Sequence, residues 1–73
     1  MGFKTEIQKI ARKSFRWNIS PTDPAWAQVR LLVSQTSASA VVEQFRQWAA
    51  DQATMPVNLL GEFARQVLVC PEA

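Results

Sequence analysis

Apolar residues recur at helical spacing in four stretches of this chain, and its four prolines fall between those stretches or at their ends. A period near 3.6 residues commits a stretch to a helix with one buried face, and sustained β alternation is absent. The expected fold is all-α: a small bundle of four short helices at about 3–17, 24–34, 39–53 and 56–69, forming one helical domain over residues 1–73.

In the first stretch, Phe3, Ile7, Ile10, Ala11 and Ser14 fall on one face, flanked by Phe15 and Trp17. Pro21 and Pro24 stop this helix, because each removes a backbone donor. The same break starts the second helix, with Asp23 as N-cap and Pro24 at the first helical position, where a missing N–H costs nothing. Ala25, Trp26, Val29, Leu32 and Val33 then share a face. In the third helix, capped by Ser37 or Ser39, the apolar line is Ala38, Val41, Phe45, Trp48, Ala49 and Gln52. Glu43 and Arg46 lie on its other side, three residues apart and placed to pair. Thr54 is the expected cap of the fourth helix, whose stripe is Leu59, Leu60, Phe63, Val67 and Cys70. Gly61 within it costs about 1 kcal/mol relative to alanine and admits a close neighbour.

Such a chain has few ways to stabilise itself. A domain of 73 residues buries roughly 60–65% of its unfolded surface, which leaves a lone core marginal. One cysteine closes no intrachain disulfide, and the absence of histidine removes the usual partner of Cys70 in a zinc site. Stability must come from apolar packing, for which 48% hydrophobic residues suffice, and a homodimer or a docked partner would add to it.

Catalytic chemistry is poorly supplied. With no histidine and no tyrosine, the commonest general base and the phenolic acid are both missing. Glu6, Asp23, Glu43, Asp51, Glu62 and Glu72 are scattered along the chain, with no i, i+3 or i+4 pair among them. Cys70 lies at a helix C-terminus, where the dipole opposes a thiolate, and reads as a structural thiol. Two glycines, at positions 2 and 61, build no phosphate loop. No enzyme, cofactor or metal is expected.

Charge points elsewhere. Lys4, Lys9, Arg12, Lys13 and Arg16 stand against Glu6 alone, so residues 1–16 carry about +4 and the rest about −2. The expected function is a small non-catalytic protein-binding or regulatory module acting through this basic helix face. Lys9, Arg12, Lys13 and Arg16 would orient an acidic partner surface, with Trp17 as an aromatic anchor at the helix end. The alternative is a nucleic-acid-binding regulator, using the same face or a helix-turn-helix-like pair of helices two and three, with Gln44 and Gln47 able to read adenine. A membrane partner is not expected, because the first helix spends its apolar side on the core. Without a leader or a spanning segment, the expected location is cytoplasmic. Trp26 and Trp48 read as core, whereas Leu31, Val57 and Leu68 lie off the stripes.

Overall fold

A computed structural model of the chain describes residues 2–68. Its elements are α1 (Phe3–Phe15), α2 (Ala25–Gln35), α3 (Ala38–Asp51) and α4 (Leu59–Leu68), with no strand among the described residues. The all-α bundle expected from periodicity is the observed architecture. Helix α1 packs on α3, and α2 packs on both α3 and α4.

The core is built from rows at four-residue spacing. In α1 the row is Phe3, Ile7, Ala11 and Phe15: Ile7 and Ala11 are fully buried, and the two phenylalanines pack half-buried at its ends. In α3 the row is Val41, Phe45 and Ala49, all buried. Rows of this kind seat between one another when helices pack ridge into groove. Phe45 meets Phe63 of α4 edge-on at 4.9 Å between ring centroids, and Trp48 lies 5.5 Å from Phe45 and 5.6 Å from Phe63. Phe15 closes this aromatic group from α1, at 6.4 Å from Trp48. The indole N–H of Trp48 is buried there without an acceptor among the described residues.

Several expectations need correction. Helix α1 ends at Phe15, not at residue 17, because Arg16 takes a left-handed conformation (φ 56°, ψ 44°) and its N–H closes on the Arg12 carbonyl at 2.9 Å. Helix α2 begins at Ala25 with Pro24 in the capping position, and Asp23 serves the first turn from one residue further out, accepting the Ala25 N–H at 2.9 Å. Helix α3 closes at Asp51 instead of residue 53. Helix α4 starts at Leu59, and Asn58 rather than Thr54 caps it, its side-chain oxygen accepting the Gly61 N–H at 3.0 Å. Ser14 and Ala38 are exposed, not on the buried face. The close neighbour of Gly61 is this cap: a Cβ there would stand 3.0 Å from the Asn58 side chain. The side chain of Leu68, and Cys70, lie outside the described residues.

Two core contributors come from outside the helical stripes. Ile19, in the connection after α1, is buried. Gln8 clamps it, donating to the Ile19 carbonyl at 2.7 Å and accepting its N–H at 3.3 Å. Trp26 adds a second tie by donating its indole N–H to the Ser20 carbonyl at 2.8 Å. The connection between the first two helices is thus held at its middle, by α1 through Ile19 and by α2 through Ser20.

Of the two candidate caps for α3, Ser37 is the one used: its backbone is extended and its hydroxyl accepts the Ala40 N–H at 3.2 Å. Ser37→Ala is expected to cost about 1 kcal/mol in urea unfolding, and Ser39→Ala close to nothing.

Candidate interaction face

Because Ile7 and Ala11 point into the core, residues half a turn away point out. Lys9, Arg12, Lys13 and Arg16 are all exposed and fall within about 100° of arc on this outward side, at 100° per residue. From Lys9 to Arg16 the helix rises about 10 Å, comparable with the Debye length of about 8 Å at physiological salt, so a partner meets these cations as one patch.

Their local partners differ. Lys9 sits 3.9 Å from Glu6, a solvent-exposed pair worth little in water. Arg12 donates from Nε to the Asn18 side chain at 2.8 Å, which fixes the guanidinium and leaves its other donors directed outward. Lys4, counted with the basic residues by sequence, belongs elsewhere: its ammonium lies over the Trp26 ring, 5.2 Å from the centroid. Trp17 is half-buried against the core, between the exposed Arg16 and Asn18. An amphipathic ring in that position has an apolar body and an accessible edge.

The left-handed residue is the least expected part of this face. Glycine occupies such helix stops most often, because a Cβ adds about 1–2 kcal/mol of crowding. Here the position holds an arginine of the basic patch. Arg16→Gly is therefore expected to raise the melting temperature by a few degrees while removing one charge, measured by thermal circular dichroism.

Helices α3 and α4 each hold an internal ion pair, while α2 carries Arg30 alone and α3 ends on Asp51. In α3, Glu43 receives Arg46 at 2.5 Å and Gln47 at 3.4 Å. In α4, Glu62 receives Arg65, and Gln66 at 3.2 Å. The same acid, i+3 arginine and i+4 glutamine thus occur twice. Hydrogen bonds from Arg65, and then from Gln66, hold the Glu62 carboxyl below the ordinary carboxylate range. The folded chain therefore binds that proton less tightly than the unfolded chain. The small stabilisation is present above the unfolded pKa of about 4.3 and fades as pH falls through the lowered folded value. Glu62→Gln should flatten the fall of melting temperature below about pH 4.

Helices α2 and α3 are joined by Thr36 and Ser37 alone, shorter than the three to four residues usual in a helix-turn-helix. Between the first turns of α1 and α3 runs an open groove of about 440 Å³, floored by Phe3, Ala38 and Val42 and rimmed by Glu6, Glu43 and Arg46. No group of three or more His, Cys, Asp or Glu side chains among the described residues is placed to hold a metal ion. No described helix is long and apolar enough to cross a membrane. Comparison with family models, with curated proteins and with solved structures finds no match for this chain.

Proposed function

We propose that this chain is a small non-catalytic binding module that docks on an acidic protein surface through the outward face of α1. Lys9, Arg12, Lys13 and Arg16 supply attraction and orientation, and Trp17 supplies an anchor at the edge of the contact. The observation that carries this reading is Arg16. A cation occupies a left-handed helix stop where glycine would be less strained, and it continues a patch whose neighbours are all exposed. A strained residue of this kind is a reason to look for a role at that position. The pairing of Glu43 and Glu62 within α3 and α4 supports the same reading, since the largest cluster of cations is then the one on α1.

Titrating the chain into fluorescently labelled poly-L-glutamate, duplex DNA and single-stranded DNA, at about 50 and 200 mM salt, tests the reading by anisotropy. The proposal expects saturable binding to polyglutamate at low salt, weakened at high salt, with no DNA binding that survives the higher salt. Tight DNA binding with a steep salt slope would replace it with the nucleic-acid reading.

A further inference from the structure

One end of the bundle sets two exposed apolar side chains, which docking on an acidic protein does not use, at the same end as three of the cations that it does use. Phe3 shares a groove with Ala38 and Val42, while Phe15 meets Trp48, so α1 and α3 run in the same sense and finish at the same end. The connection from Gln52 to Asn58 leaves α3 at this end, and α4 returns to the core with Leu59 buried and Phe63 beside Trp48. The connection carries Met55, half exposed, and Val57, which is 101% exposed and so touches nothing else in the fold. The last turn of α1 brings Arg12, Lys13 and Arg16 to the same end, with Trp17 half-buried beside them. The acids there are Asp51 and, in the first turn of α4, Glu62, which is paired with Arg65.

We infer that this end of the molecule rests on an anionic lipid bilayer, with Met55 and Val57 entering the interface and Arg12, Lys13 and Arg16 meeting the lipid phosphates. The charge of the surrounding cations selects an anionic surface. The form of the apolar part selects a fluid one. Protein hot spots are packed clusters that fill a matching pocket, whereas Met55 is half exposed and Val57 fully exposed on a short connection. A lipid interface accepts a side chain of any shape. Helix α1 need not insert, since its apolar row stays in the core and the connection supplies the apolar contact in its place. This contact shares Arg12, Lys13 and Arg16 with the protein-docking reading, but its apolar part, Met55 and Val57, does not depend on that reading.

Cosedimentation of the full chain with phosphatidylcholine vesicles, with and without about 30% phosphatidylserine, provides the test. Binding is expected to the anionic vesicles alone. Met55→Ser/Val57→Ser should melt as the parent does, because both side chains are exposed, yet lose about tenfold or more of its vesicle affinity while keeping its polyglutamate binding. Asp51→Asn should bind these vesicles a few-fold more tightly. No binding to anionic vesicles, equal binding to neutral ones, or binding indifferent to the double serine variant would each overturn the inference. The last result would reduce the contact to charge alone, which the face of α1 already explains.

Discussion

Phe45→Ala is expected to leave this chain close to unfolded at 37 °C. The side chain is completely buried, meets Phe63 edge-on and lies against Trp48, so its removal takes out one of the two aromatic contacts between α3 and α4 and undercuts the other. Truncating a buried phenylalanine costs about 3–5 kcal/mol, combining lost transfer energy with the cavity left behind. A domain of this length has a total stability of about 4–11 kcal/mol, so the loss is a large share of the whole. Thermal circular dichroism should show the midpoint falling by at least about 12 °C. Phe45→Leu, which keeps most of the volume, should recover more than half of that drop. A melting point within a few degrees of the parent would mean that the aromatic group is not the centre of the core.

The second large effect concerns binding and should lower stability only slightly, because two carboxylates at the C-terminal end of α1 meet the helix dipole with the wrong sign, at about 0.3–1 kcal/mol each. Lys13→Glu/Arg16→Glu changes four units of charge on a face where all four cations are exposed. Neither side chain contributes to the core. Glutamate at position 16 keeps the left-handed strain of the arginine, so the helix stop is as strained as before. Affinity for an acidic surface should fall at least tenfold, mostly through the association rate, because like charges then face one another at the contact. Arg16→Gly separates the two properties from the other direction, gaining stability while losing one contact.

Much of the fold was legible because each helix repeats its apolar residues, and periodicity survives ignorance of the packing partner. Details that depend on the partner were not. The stripe centred on Phe3, Ile7, Ile10 and Ser14 is a fair average, but the contact with α3 follows Phe3, Ile7, Ala11 and Phe15, advancing about 40° of arc at each step. By the last turn that drift has carried the contact to Phe15 and left Ser14 in solvent. Val42 and Ala64 are buried for the same reason, as flanking residues that a narrow stripe omits.

Ile19 and Gln8 were hidden differently. A loop residue has no period, and a glutamine that clamps backbone eleven residues away resembles any surface glutamine. The Asn58 cap had a local signal, an asparagine three residues before Gly61, which Pro56 and Thr54 obscured. On the candidate face, residue type and helical spacing placed Lys9, Arg12, Lys13 and Arg16 together in solvent. The left-handed turn at Arg16 had no glycine or asparagine to announce it, and the seat of Lys4 over Trp26 is a tertiary contact that local spacing does not encode.

The most direct measurement is the polyglutamate titration run side by side on the parent chain and on Lys13→Glu/Arg16→Glu, each with its melting curve. A variant that melts cooperatively within several degrees of the parent, with saturable binding by the parent alone, would establish the outward face of α1 as the docking surface. The same melting behaviour with equal binding would contradict it, and the basic face would then be no more than the solvated side of a helix.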